Sequence, residues 1–262
     1  TLLVNELPIV TVESSNDPSN QVCVGADLTL TATASGGSGS YVYQWYKAGA
    51  EIVGATASTY TIVGAQLADA DEYSVVVRDT DNGITCESAP ASLTVDVTFA
   101  TAALTGAASY CEGESETYIA GGGDFYTFFL NGTEVQARSI SNTYNTLSSL
   151  AAGSYTLMVE VEDANGCTDQ ETYAFIIYPE PEATIAFDAT AVCEGGSANL
   201  QITLTTGTTP WSLVYNNGTV DVAESNIPGA TYTLAVTPTS DLTYTLVSVE
   251  DANGCSANIG SS

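Results

Sequence analysis

Apolar and polar residues alternate along most of this chain. Leu28-Thr-Leu30-Thr, Tyr73-Ser-Val75-Val-Val77 and Tyr155-Thr-Leu157-Met-Val159-Glu-Val161 each put every second side chain on one face. A period of two belongs to a half-buried strand, and the 3.6-residue period of a helix is almost absent. Thr, Ser, Val, Tyr and Gly dominate, a strand and turn vocabulary. The pattern predicts an all-β chain.

The cysteines expose a longer period. Val22-Cys23-Val-Gly25, Tyr110-Cys111-Glu-Gly113 and Val192-Cys193-Glu-Gly195 recur, as do Asp81-Asn-Gly83-Ile-Thr-Cys86, Asp163-Ala-Asn-Gly166-Cys167 and Asp251-Ala-Asn-Gly254-Cys255. Each repeat has the size of one small sandwich domain. After Cys-x-Gly comes a strand (Leu28–Ala34, Thr117–Ala120, Ala198–Leu204). A Gly/Thr-rich turn follows, then an aromatic strand (Tyr41–Tyr46, Phe125–Leu130, Trp211–Tyr215). A Tyr-bearing strand comes later (Tyr60, Tyr144, Tyr232). A longer strand then starts at Tyr73, Tyr155 or Tyr244 and enters an Asn-Gly hairpin, a turn in which both central residues favour positive φ.

This order is that of an immunoglobulin-like sandwich. Trp45 stands where the core Trp of the third strand belongs, with Phe128 as its counterpart. In the third repeat Leu213 and Val214 compete for that place. Asp69-Ala-Asp-Glu-Tyr73 reads as the approach to a tyrosine corner. Trp45, Phe128, Tyr73, Tyr155 and Tyr244 are the expected core aromatics. Ala32 and Val75 occupy the usual inter-sheet cysteine positions, so the cysteines lie elsewhere. The expected architecture is three tandem immunoglobulin-like (PKD-like) β-sandwich domains at 8–97, 98–179 and 180–262. Residues 1–7 read as the tail strand of a preceding domain, and the last strand of the third reads as incomplete. Linkers are expected at Asp96–Ala100 and Tyr178–Glu182.

Composition then narrows the chemistry. The 262 residues hold 3 Lys+Arg against 31 Asp+Glu, a net charge of −28, and no His. Phosphate contacts need cations that are missing, so a nucleic-acid partner is not expected, and an anionic membrane surface would repel the chain. Without His there is no Ser-His-Asp triad and no imidazole metal site. No apolar run approaches the ~18 residues of a membrane helix. The three repeats carry −9 each. Such even charge reads first as solubility and self-repulsion between neighbours. Structural Ca²⁺ is the alternative, with Asp79, Asp81, Asp163 and Asp251 as oxygen ligands; the simpler role for these residues is hairpin formation. No other cofactor is expected. The acids fall in turns or on strand faces with no cleft between them, so the chain is not expected to be an enzyme.

Cys23, Cys86, Cys111, Cys167, Cys193 and Cys255 argue for disulfides, because zinc held by Cys alone needs a CxxC-like spacing that is absent. Two pairings stay open. One closes each repeat on itself: Cys23–Cys86, Cys111–Cys167 and Cys193–Cys255. Yet Cys23 precedes the second strand at one end of a sandwich, and Cys86 follows the last hairpin at the other, ~20 Å away against a limit of ~7 Å. The other joins successive repeats: Cys23–Cys167 and Cys111–Cys255, with Cys86 and Cys193 paired to domains outside this window. Two further features are weaker. Tyr41, Tyr43, Trp45 and Tyr46 form either core or a sugar-stacking platform. Asn131-Gly-Thr133 and Asn217-Gly-Thr219 are N-glycosylation sequons that also read as turns.

Cys-x-Gly, the aromatic strand, Gly153-Ser-Tyr155-Thr-Leu-Met-Val159 and Asp163-Ala-Asn-Gly-Cys167 resemble the Ig-like/PKD-like repeats of very large Bacteroidota surface proteins, including gliding adhesins and other type IX secretion cargo. The first repeat departs from the motif by two extra residues before Cys86. The resemblance implies an extracellular, cell-surface, modular protein whose stalk segments extend an adhesive or capturing tip. The expected partners are neighbouring domains of the same longer chain. Identical chains in a bundle or filament are a second expectation, with Thr1–Val4 completing the third repeat of a neighbour by strand exchange. A glycan- or protein-binding adhesin module is the third.

Overall fold

The computed structural model describes residues 4–81 and 83–258. The first repeat supplies β1 (Ile9–Ser14), β2 (Gln21–Cys23), β3 (Leu28–Ser35), β4 (Tyr41–Lys47), β5 (Ala50–Glu51), β6 (Thr59–Ile62), β7 (Asp71–Asp81), β8 (Ile84–Glu87) and β9 (Ala91–Thr98). One sheet has the order β1-β3-β6. The other runs β2-β9-β7-β4-β5, with β8 also on β7. The first strand of the sandwich is thus split between sheets: β1 is antiparallel to β3, whereas β2 is parallel to β9. The split falls at a tight turn, where Asn20 takes φ 52° and its side-chain oxygen accepts from the Ser14 hydroxyl at 2.8 Å.

Alternation decides what the two sheets bury. Leu28, Leu30, Trp45, Tyr73, Val75 and Val77 are sealed from solvent. Trp45 donates its indole N–H to the Ala57 carbonyl at 2.9 Å, which satisfies the one polar atom it takes inside. Ala32 and Val75 are both buried, so apolar packing fills the place of a core disulfide. The Tyr73 hydroxyl donates to the Asp69 carbonyl at 3.1 Å, closing a tyrosine corner, and Tyr155 repeats this with Ala151 at 2.9 Å.

The second repeat contributes β10 (Ala103–Thr105), β11 (Ser109–Cys111), β12 (Thr117–Gly121), β13 (Phe125–Leu130), β14 (Thr133–Ser139), β15 (Thr143–Asn145), β16 (Gly153–Glu162) and β17 (Thr168–Tyr178). Its sheets are β10-β12-β15 and β11-β17-β16-β13-β14, the same split design, with β11 parallel to β17. Phe128 is fully buried and stacks on Tyr144 at 5.7 Å. The third repeat contributes β18 (Glu182–Phe187), β19 (Ala198–Thr206), β20 (Trp211–Asn216), β21 (Asp221–Ile227), β22 (Thr231–Val236), β23 (Thr245–Glu250) and β24 (Ser256–Asn258), in sheets β18-β19-β22 and β21-β20-β23-β24. Trp211 and Leu213 point inward, and Val214 does not. Tyr155 and Tyr244 are only half-buried, lying over Phe175 at 5.4 Å and Tyr215 at 6.1 Å.

Two sequence expectations shift. Asp96–Thr98 belongs to β9, held by β2, so the first connection is 99–102 rather than Asp96–Ala100. The hairpin glycines Gly166 and Gly254 take positive φ, but Asn165 and Asn253 do not, so these turns need one left-handed residue each. Asn82, in the first hairpin, and the strand candidate Thr1–Leu3 lie outside the described residues.

Packing groups the chain into two compact units: Thr1–Ala102 with Gly122–Phe125 and Glu160–Gln170, and Ala103–Gly121 with Tyr126–Val159 and Glu171–Ser262. The hairpin end of the second repeat therefore belongs with the first. Within that unit Ala102 N–H donates to the Asp169 carboxylate at 2.8 Å. Gly122 takes φ 95°, and a Cβ there would overlap the Thr101 carbonyl oxygen. Only glycine meets both demands. We expect Gly122→Ala to destabilise the chain by about 2 kcal/mol or more. Thermal melting of the variant checks this; an unchanged melting temperature would contradict the packing.

Candidate functional site

Cysteine chemistry gives the chain its most distinctive geometry. Cys23 ends β2 and Cys167 opens β17, and they are bonded with Cα atoms 5.4 Å apart. Cys111 ends β11 and is bonded to Cys255, just before β24, at 5.5 Å. Both bonds span 144 residues, so each joins one repeat to the next, and each lies inside one compact unit. The pairing of each repeat on itself does not occur. The reason is the one that spacing suggests: the two cysteines of a repeat sit at opposite ends of the same long sheet.

The motif around each hairpin cysteine has a local job. Asp163 Oδ1 accepts the N–H of Asn165 at 2.8 Å and of Cys167 at 2.9 Å. Asp251 does the same for Asn253 at 2.9 Å and Cys255 at 3.0 Å, and its other oxygen takes Thr208 N–H at 2.9 Å. The carboxylate thus fixes the turn that aims the thiol, and Cys167 and Cys255 are buried. On the other side, Cys-x-Gly makes one recurrent turn: Gly25, Gly113 and Gly195 all take positive φ, at 85°, 86° and 72°.

The first repeat shows what its two extra residues do. Asp79 pairs with Cys86 across the β7–β8 ladder. Asp163 and Asp251 pair with Cys167 and Cys255 through main-chain bonds of 2.9 Å each. The structural equivalent of those aspartates is therefore Asp79, not Asp81. Asp79 is buried and accepts the N–H and hydroxyl of Ser38, the latter at 2.7 Å, and Ser40 N–H at 3.0 Å. Cys86 and Cys193 carry free thiols, half-buried and exposed respectively, in contrast to the expectation that all six are bridged.

These bonds bear on the calcium candidates. Asp79, Asp163 and Asp251 direct carboxylate oxygens at main-chain donors of their own turns and loops. Asp81 lies at the end of β7, where its carbonyl accepts from Asn5 Nδ2 at 3.3 Å. Among the described residues no three Asp, Glu, Cys or His side chains gather as a metal site needs. The Ser38 main-chain N–H, first, and its hydroxyl favour the charged form of Asp79 and hold its carboxyl below the ordinary carboxylate range. A depressed folded-state pKa contributes stability above the unfolded value of about 4, lost as pH falls through the folded value. We expect Asp79→Asn to lower the melting temperature at pH 7 and the gap from the wild type to close below about pH 3. A gap that stays constant with pH would contradict this.

The remaining candidates serve the fold. Tyr41 and Tyr43 pack against the core that contains Trp45. In β13 it is Tyr126 and Phe128 that are buried, with Phe125 and Phe129 half-buried. Asn131 takes φ 48° and accepts Thr156 N–H at 2.9 Å. Asn217 Oδ1 accepts from Thr219 N–H at 3.0 Å and its hydroxyl at 2.8 Å. Both sequon asparagines thus act in turns.

No protein-family model matches the chain. A stretch of 91 residues is 38% identical to the decoration protein of Escherichia phage T5. It covers 35% of this chain and 55% of that protein, so the chain spans about half the length of the curated relative it matches. Among solved structures, the three N-terminal domains of the bacteriophage RB49 highly immunogenic outer capsid protein align over 93% of this chain and 91% of theirs, at 15% identity and a TM-score of 0.43. A titin I-band fragment aligns over 97% and 94%, at 14% identity and 0.48. A fragment of a 1.5-MDa bacterial ice-binding adhesin aligns over 97% and 96%, at 14% and 0.47.

Proposed function

We propose that this chain is a non-catalytic structural segment of a large, extracellular, surface-displayed protein, holding an adhesive or capturing tip away from a cell. One observation carries the reading: two disulfides, each joining one Ig-like repeat to the next. A bond inside a domain protects that domain, whereas a bond between domains limits how far the joint opens under load. Disulfides belong to oxidising, extracellular settings. The net charge of −28 keeps neighbouring segments apart. The Asp-Ala-Asn-Gly-Cys motif supports a type IX-secreted bacterial source through its resemblance to Bacteroidota surface repeats.

The experiment is an antiserum against this chain applied to the source organism. The reading expects labelling of intact cells and a reducing-gel band far above 27.0 kDa. An intracellular antigen, or a band at 27.0 kDa, overturns it. The 38% identity to a phage decoration protein favours a second reading, in which the same module decorates a virus particle. Labelling confined to released phage particles would select that reading.

A further inference from the structure

The repeats provide three Cys-x-Gly turns and three hairpin cysteines, of which two of each are joined. The unused halves are complementary. Cys193 stands in the third copy of the turn, with Gly196 N–H donating to its carbonyl at 2.7 Å, as Ala26 N–H does to Cys23 at 3.0 Å. Cys86 stands opposite Asp79 as Cys167 stands opposite Asp163. Both are free thiols and both reach solvent.

A second, independent feature lies beside Cys193. In the first two repeats the strand that ends in the cysteine pairs in parallel with the exit strand, β2 with β9 and β11 with β17. In the third, residues 189–192 have no strand partner among the described residues. They line an open cavity of about 450 Å³ together with Phe187, Val236, Pro238 and Leu242. Meanwhile Val4 is 85% exposed, and it precedes β1 by the same five positions as Ile177, in exit strand β17, precedes β18. Exit strands in this chain place such residues inside: Val97 and Ile177 are buried.

We propose that copies of this chain join head to tail: Cys193 of one copy and Cys86 of the next form the same staple seen at Cys23–Cys167 and Cys111–Cys255, and the segment ending at Val4 of the incoming copy lies along the 189–192 strip. This rests on the reading of the chain as a load-bearing segment stapled between repeats and names a second copy as its partner. The strand supplies apolar burial and main-chain pairing to an open edge, and it sets the incoming first repeat where a following repeat stands. Bond formation needs a low-molecular-weight disulfide such as oxidised glutathione. One thiolate attacks it and releases one reduced glutathione. The second thiolate then displaces the other, so two thiols become one disulfide and one oxidant molecule becomes two thiols.

The test incubates the full chain with oxidised and reduced glutathione and follows it on non-reducing gels. The proposal expects a ladder at multiples of 27.0 kDa that collapses on reduction, with Cys86–Cys193 as the joining peptide. Cys86→Ser and Cys193→Ser each remain monomeric when alone and form a dimer when mixed. Val4→Asp slows ladder growth at least tenfold. Monomer alone, homotypic Cys193–Cys193 links or a Cys86–Cys193 link within one monomer overturns the proposal. Crosslinking of Val4→Asp at the wild-type rate removes the strand from it. None of these results alters the expected staples within a chain, so a failure here is distinguishable from a failure of the segment reading.

Discussion

Pulled from its two ends, the oxidised chain is expected to extend to about one third of its reduced length. The argument is covalent. Force entering at the first residue passes along the chain to Cys23 and crosses to Cys167. The shortest taut path then runs back to Cys111, crosses to Cys255 and leaves. Only about 85 residues lie on that path, so full extension reaches roughly 300 Å, against roughly 900 Å for the 262-residue chain without bridges. The stretch between Cys111 and Cys167 carries the load, so the second repeat unravels while most of the first and third is spared. Single-molecule extension with and without reductant measures this. Equal lengths in the two conditions would contradict the staples.

Removing the staples is expected to cost the second repeat most of its stability, because one cysteine of each bridge lies in it. In the chain-entropy account, closing 144 residues contributes about 5 kcal/mol, and less where a folded neighbour shortens the free loop. We expect Cys23→Ala with Cys167→Ala, and separately Cys111→Ala with Cys255→Ala, each to cost about 3–5 kcal/mol. For a repeat of this size that lowers its melting transition by well over ten degrees. Calorimetry should resolve the loss in the transition of the second repeat. The Cys193→Ala variant, which touches no bridge, should melt like the parent. A double variant that melts unchanged would show that the bridges do not constrain folding.

Much of this architecture was legible because sandwiches repeat a short grammar. Alternation located the strands, and Phe125–Leu130 coincides with β13. Tyr73 four residues after Asp69 marked a corner that the hydroxyl contact closes. Cysteine spacing left two pairings, and sheet length already weighed against bonds inside a repeat. What was hidden depends on register, which pairing partners set. Asp81 matches the hairpin motif by letter, but two extra residues lengthen the β7–β8 ladder and put Asp79 opposite Cys86. Leu213 and Val214 could not be ordered because β20 slips register against both β21 and β23. The divided first strand of each sandwich left no signal of its own, since both halves are short and apolar. Nor did the sequence show that the aspartates of the hairpins spend their oxygens on main-chain N–H groups. That follows only once the turn has folded around them.

The account stands on bonds that join one repeat to the next, and non-reducing peptide mapping tests them most directly. After proteolysis under acid conditions that block thiol exchange, mass spectrometry should find Cys23 linked to Cys167 and Cys111 linked to Cys255. A peptide joining Cys23 to Cys86, or Cys111 to Cys167, would contradict it.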